Sequence, residues 1–336
     1  MSPRGPLPVR RHPDYPRGGA FFYGVTISVE RIAEAHDLID PVFKDSPQYV
    51  CGPISEKLGK RVVLKVETLN PIRSFKGRGT DYLVQVIGPQ PRGLVCASAG
   101  NFGQGMAHAA RKHSIPVVVF AATNANPLKV ERMRALGAEV LLEGDDFEGA
   151  KQAARRRASE TGAMFIEDGA LAPIAEGAGT IALELTRIAH PIDAVLVPLG
   201  DGALITGVGT WMRSKSPNTR VIGVVADGAP AMDLSWRAGR AISTDGTSTI
   251  SDGIAVSDPI PESVESMNGN LDDIVRVSDE ETIAAMRMLL LDAGLVVEPA
   301  GAVGLAAAKK VGAQRVVVII TGGNLTPDQI REYQLA

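Results

Sequence analysis

Lys76 stands in the run Ser74-Phe75-Lys76-Gly77-Arg78-Gly79, which follows the loop Asn70-Pro71-Ile72-Arg73 and opens a stretch of helical periodicity. An amine at a helix N-terminus feels the positive end of the dipole, and partial burial also disfavours its cation. Both effects predict an amine that gives up its proton easily, as imine chemistry with a carbonyl requires. Most lysines at helix starts are solvated surface charges, so this run gains meaning only beside others. Ala97-Ser98-Ala99-Gly100-Asn101-Phe102-Gly103-Gln104-Gly105 lies between a strand pattern and an alanine-rich helix pattern. Small residues there let a ligand approach the backbone, and the N–H groups with the Ser98 hydroxyl suit a carboxylate; a plain tight turn accounts for the same residues. Pro198-Leu199-Gly200-Asp201-Gly202-Ala203-Leu204 also joins a strand to a helix and suits a phosphate cradle built of backbone amides. Gly200 and Gly202 match the start of a dinucleotide fingerprint, with Asp227 placed as a ribose-binding acid would be. Ile205 takes the place of the third glycine and Gly207 comes two residues late, which leaves nicotinamide binding a minor alternative. Thr321-Gly322-Gly323-Asn324 forms a fourth turn at a strand end, where parallel α/β sheets present ligands.

The elements that must carry these turns alternate. Val62 to Val66 reads as a strand, Phe75 to Val86 as a helix and Gly93 to Cys96 as a strand. Helices over Phe102 to Arg111 and Pro127 to Leu136 bracket a strand at Pro116 to Phe120, and a strand at Glu139 to Leu142 leads to a helix that Asp146 caps. Such units in succession predict parallel sheets with right-handed crossovers. A second series runs from Pro173 to Val224, and regularity returns in Asp279 to Asp292, Ala302 to Lys310 and Arg315 to Ile320. Between them, about Gly239 to Asn270 is rich in Ser, Thr, Gly, Asp and Pro and reads as loops over a cleft.

A chain of 336 residues exceeds the usual limit for one core, so two α/β lobes are expected, each a mostly parallel twisted sheet flanked by helices. The 35 Lys and Arg nearly balance 38 Asp and Glu, which gives no footprint for nucleic acid or an anionic membrane and favours a small-molecule partner. No apolar run reaches the length of a membrane span. Cys51 and Cys96 are the only cysteines, so neither a disulfide framework nor a zinc site is implied. Met1 to Gly19 is rich in Pro and Arg without the apolar stretch of a secretory signal, and cytoplasmic residence is the expectation.

Ser74-Phe75-Lys76, Ser98-Ala99-Gly100-Asn101, the turn from Gly200 to Ala203, Glu298-Pro299-Ala300-Gly301 and Thr321-Gly322-Gly323-Asn324 occur in an order and spacing that resembles the threonine/serine dehydratase family of fold-type-II pyridoxal-phosphate enzymes. The resemblance spans roughly Arg31 to Glu332. It implies pyridoxal 5′-phosphate in the cleft, held as a Schiff base on Lys76, which would also shuttle the Cα proton. Phe75 would flank the cofactor, and Ser98, Ala99, Gly100 and Asn101 would bind the substrate carboxylate, Asn101 also reaching the ring hydroxyl. Gly200, Asp201, Gly202, Ala203 and Leu204 would surround the phosphate, and Thr321 would meet the pyridine nitrogen. It further implies a homodimer, an N-terminal arm over 1–23, a large cofactor-binding lobe from 24–90 with 172–336, and a small mobile lobe over 91–171.

A neutral hydroxyl at the pyridine nitrogen leaves the ring a weaker electron sink than an aspartate would, so a carbanion at Cα escapes fastest by expelling its β-substituent. The expected reaction is therefore β-elimination from a β-hydroxy or other β-substituted L-amino acid, giving a 2-oxo acid and ammonia. β-Replacement on the same intermediate and a silent cofactor-binding protein are the alternatives. Ala99 stands where related racemases carry a hydroxyl, so racemisation is expected to be minor. No metal is expected, because Val225, Ala229 and Ala231 match the racemase ligand positions and offer no side-chain oxygen. Two departures fall near the site: Asp201 interrupts a turn that the family makes of glycine, and Glu167-Asp168-Gly169 replaces a His-Pro segment. Three roles are open to Asp201: capping the next helix, bridging to the phosphate through a cation, or meeting a cationic substrate.

Overall fold

In the computed structural model, which describes residues 26–90 and 92–335, the β-branched runs collect into two sheets. The proposed arm over 1–23 lies outside the described residues. Ten strands are present among those described: β1 Gln48–Val50, β2 Arg61–Val66, β3 Leu94–Ala97, β4 Val117–Ala121, β5 Glu139–Leu142, β6 Met164–Ile166, β7 Ala194–Pro198, β8 Arg220–Ala226, β9 Asp273–Val277 and β10 Arg315–Ile320. The larger sheet runs β1-β2-β10-β7-β8-β9 and the smaller β5-β4-β3-β6. All pairings are parallel except that of β1 with β2, as helical crossovers between strands require. β10 sits centrally, with Val318 opposite Leu64 on one side and Leu196 on the other, and its five residues from Val316 are buried on both faces. The chain is thus a two-lobed α/β protein.

β1, β6 and β9 escape the sequence pattern: the first two have three residues each, too few to display alternation, and β9 follows directly on the irregular segment. Within the segment read as loops, a short helix forms at Pro261–Met267 and a 3₁₀ turn at Asp252–Ile254. A helix at Ala231–Ala238 precedes it.

Of most consequence for the site is the Lys76–Ile87 helix. Tyr82, Leu83 and Val86 pack in one core with Leu94, Cys96 and Val119 of the smaller sheet. Its other side meets the Ala172–Leu185 helix so closely that a Cβ on Gly79 would lie 2.5 Å from the Ile174 carbonyl oxygen, and one on Gly177 2.6 Å from that of Arg78. Only glycine permits that approach. Arg78, wholly buried, locks the contact: it donates to Glu67 at 2.8 Å, to Thr180 at 2.9 Å and to Glu184 at 2.6 Å, and Lys65 also bonds Glu184. A buried charge is tolerated only when paired and hydrogen-bonded in this way.

Candidate active site

Five chain turns converge on a cavity of 570 Å³ between the lobes, lined by Phe75, Lys76, Ser98 to Phe102, Gly200 to Gly202, Leu204 and Thr321 among others. The structure therefore brings together every residue that the resemblance gave a cofactor or substrate role except Ala203, which contributes its backbone N–H to Asp201 at 2.8 Å without lining the space. Each turn follows a strand end: β3 before Ser98, β7 before Gly200, β10 before Thr321, and β6 before Asp168. Lys76 opens its helix directly after the turn whose Phe75 N–H bonds the Thr321 carbonyl at 3.0 Å.

Lys76 Nζ donates to two carboxylates, Asp168 Oδ2 and Asp201 Oδ2, each at 2.6 Å. The Phe75 ring centre lies 5.0 Å from the same nitrogen and that of Phe102 5.9 Å. This overturns the expectation of an easily deprotonated amine. Burial does pull the pKa of Lys76 down, but the two carboxylates outweigh it and hold the amine well above the ordinary lysine value. The local dipole argument failed because the opposing charges come from two other strand ends, one in each sheet.

The two acids titrate apart. Burial and the neighbouring Asp201 charge push Asp168 up to about 7, against the pull of Lys76. For Asp201 burial also opposes ionisation, yet Lys76 and the Ala203 N–H hold it below its usual value. Gly169, at φ +82°, lets the two acidic turns touch: a Cβ there would come within 2.9 Å of the Asp201 Cβ. Of the three roles open to Asp201, N-capping falls instead to Gly202; Asp201, one residue earlier, accepts the Ala203 N–H at Oδ1 while Oδ2 serves Lys76. Asp168 Oδ1 is buried without a hydrogen-bond partner.

Ser98 Oγ turns into its own loop and accepts from the N–H groups of Gly100 at 3.1 Å and Gly103 at 3.0 Å. Asn101 donates to Glu298 at 2.7 Å and accepts from Asn324 at 2.7 Å, and Arg132 donates to Asn324 at 2.8 Å. Burial raises Glu298 to about 6. Lys129 pairs with Asp252 across the cleft mouth. Thr321 Oγ1 is buried and 3.5 Å from the Ala300 carbonyl. Phe102, Lys129, Arg132 and Asp252 were not foreseen as site residues, and Asp168 only as a departure. Phe102, Lys129, Asp168 and Asp252 share a position just past a strand end or in the first turn of a helix, whereas Arg132 lies mid-helix and reaches the site through Asn324. Asp227 takes no part in the cavity, and Asp233 is bonded to Arg237 at 2.7 Å and Arg276 at 2.6 Å. Val225, Ala229 and Ala231 are buried.

The residues present fit pyridoxal phosphate. A primary amine faces the cavity between two aromatic rings, and the Ala203–Lys215 helix starts at Gly202, where a φ of +97° and the nearby Ser263 hydroxyl exclude a side chain. Helix-opening N–H groups are natural anion donors, of which Asp201 claims one.

Residues 39–322 match the family described as "Pyridoxal-phosphate dependent enzyme". An L-threonine ammonia-lyase of Thermotoga maritima is 37% identical over 309 residues, which cover 90% of this chain and 77% of that one. The chloroplastic threonine dehydratase of Arabidopsis thaliana is 34% identical over 85% of this chain, which spans half of its length. Among solved structures, a T.th. threonine deaminase superposes with a TM-score of 0.83 at 31% identity, covering 89% of this chain and 99% of that one. Maize serine racemase gives 0.86 at 27% identity, covering 92% and 97%. Matched over residues 39–322 by that family and over most of its length by these relatives, the chain belongs to the pyridoxal-phosphate-dependent enzymes, as an ammonia-lyase of the threonine dehydratase type.

Proposed function

We propose that Lys76 carries pyridoxal phosphate in this cleft and that the enzyme eliminates the β-substituent of an L-amino acid, releasing ammonia and a 2-oxo acid. The observation that carries the reading is the placement of the Lys76 amine, between two aromatic rings and facing the cavity where four strand-end turns meet. When bound, the cofactor supplies an electron sink that acidifies the Cα–H bond of an attached amino acid. Phe75 would flank its ring, with Thr321 at the pyridine nitrogen and Asn101 at the ring hydroxyl. Backbone N–H groups from Gly200 to Leu204 would bind the phosphate. Ser98 to Asn101 would take the substrate carboxylate at the start of the Asn101–Lys112 helix, where the dipole favours an anion. Lys76 Nζ would accept the Cα proton on one face; Ala99 has no proton to deliver from the other.

L-Threonine and L-serine are the substrates suggested by the names of the relatives. Residues 91–171 carry the smaller sheet, and we infer that they move as a lobe when substrate enters, breaking and remaking the Lys129–Asp252 pair. Two buried, unpaired cysteines support a reducing, cytoplasmic setting. The exposed Tyr49 and Val50 of the outer strand β1 support a homodimer.

Release of 2-oxo acid from L-threonine and L-serine by the pyridoxal-phosphate-loaded protein tests this function. Lys76→Ala is expected to abolish turnover while leaving the far-ultraviolet circular dichroism unchanged. Substantial activity in that variant would remove Lys76 from its role.

A further inference from the structure

The cleft lining carries eight carboxylates against three lysines, a bias at odds with the balanced chain as a whole. A cleft of one sign concentrates ligands of the other. The acids nearest the reacting amine are Asp168 and Asp201, and among the described residues their one cationic partner is the Lys76 ammonium. Two carboxylate oxygens at 2.6 Å and two aromatic faces form a receptor for a primary ammonium. A further acceptor, Asp168 Oδ1, is buried and unused. Once Lys76 carries the cofactor its amine is no longer a free ammonium, and even where Asp168 has taken up the proton the Asp201 charge is left without its counter-charge. Desolvated carboxylates so placed favour a new cation.

We propose that Asp168 and Asp201 bind an ammonium group on Cβ of the substrate, so that the enzyme prefers 2,3-diamino acids to β-hydroxy ones. The proposal rests on the pyridoxal-phosphate reading above and names the substrate class of the same site. Reach argues for Cβ: the oxygens lie within hydrogen-bond distance of the very amine that serves Cα, so the group they hold is next to Cα and not at the end of a long tail. Lys76 takes the Cα proton, the C–H electron pair becomes the Cα=Cβ bond, and the Cβ–N bond breaks with its pair kept by nitrogen. Leaving from an ammonium, that nitrogen departs as neutral ammonia and needs no proton from an acid. The released enamine takes up one water, so that one diamino acid and one water give one 2-oxo acid and two ammonia.

The test compares L-2,3-diaminopropionate with L-serine on the loaded enzyme. The expected result is a kcat/KM ratio of at least about ten for the diamino acid, with two ammonia per pyruvate; truncating one partner of a buried charge pair, in Asp168→Asn or Asp201→Asn, should lower that ratio on the order of a hundredfold. A preference for serine, or an equal loss on both substrates in the variants, would overturn the proposal. A second arm does not depend on turnover. Cofactor-free Lys76→Ala lacks the resident ammonium, and L-2,3-diaminopropionate, which adds a Cβ amine to the α-amine that both ligands carry, should raise its melting temperature more than L-serine does. The difference should vanish in Lys76→Ala with Asp201→Asn. Equal effects of the two ligands would count against the proposal. A wild-type protein that takes up no cofactor would instead sink the pyridoxal-phosphate reading, leaving the melting arm to judge the carboxylate pair by itself.

Discussion

At Lys76 the helix dipole and burial favour the neutral amine, and two carboxylates at 2.6 Å reverse the balance. The resting amine is therefore charged, and loading the cofactor requires a proton to leave Nζ. Asp168, raised to about 7 by burial and by Asp201, is hydrogen-bonded to the amine and stands as the acceptor at neutral pH. Removing one carboxylate frees the amine. In cofactor-free Asp201→Asn, reductive methylation of Lys76 by formaldehyde and cyanoborohydride at pH 8 should run faster than in the wild type, as mapped by mass spectrometry. An unchanged rate would mean that the carboxylates do not control the amine. The Asp201 side chain was legible in the sequence as an intruder in a glycine turn, but its partner was not. Asp168 follows β6 of the smaller sheet and Asp201 follows β7 of the larger, and only the meeting of the two strand ends reveals the pair.

The Lys76–Ile87 helix is held from below by the buried Arg78, whose carboxylate partners lie just past β2 and on the Ala172–Leu185 helix. Arg78→Met would leave these acids with one fewer cation, and loss of a buried ion partner costs about 3–5 kcal/mol. Urea unfolding at pH 7 measures it. Glu184 adds a pH signature. Burial would raise its pKa, but Arg78 and Lys65 hold it down to about 2 against an ordinary value of 4.5. A depressed carboxylate stabilises fully above the unfolded value and loses that contribution as pH falls from 4.5 towards 2, a change on the order of 3 kcal/mol. The acid limb of the stability curve should therefore flatten in Arg78→Met; a limb as steep as the wild type's would place the acid sensitivity elsewhere. The interior parallel strands were readable because burial on both faces demands continuous β-branched runs such as Val316 to Ile320. β1, with three residues at a sheet edge, takes its form from β2 and not from a pattern of its own.

Among the described residues, polar ties between residues 91–171 and the rest of the chain at the cleft include Lys129 with Asp252, Arg132 with Asn324, Asn101 with Glu298 and Asn324, and Asp168 with Lys76. If residues 91–171 move as proposed and Asn101 holds the substrate carboxylate as proposed, the two events would be coupled through Asn101, which bonds Glu298 and Asn324. The architecture was legible from the alternation of strands and helices and from five ordered turns. The acidic character of the cleft was not, because it arises from residues that the balanced composition hides and only folding assembles. All of the proposed chemistry depends on Lys76 as the cofactor's attachment point. Incubating the protein with pyridoxal phosphate, reducing with borohydride and mapping the modified peptide by mass spectrometry measures this directly. The expected result is a single stoichiometric pyridoxyl group on Lys76, lost in Lys76→Ala; a label on another lysine, or none, would contradict it.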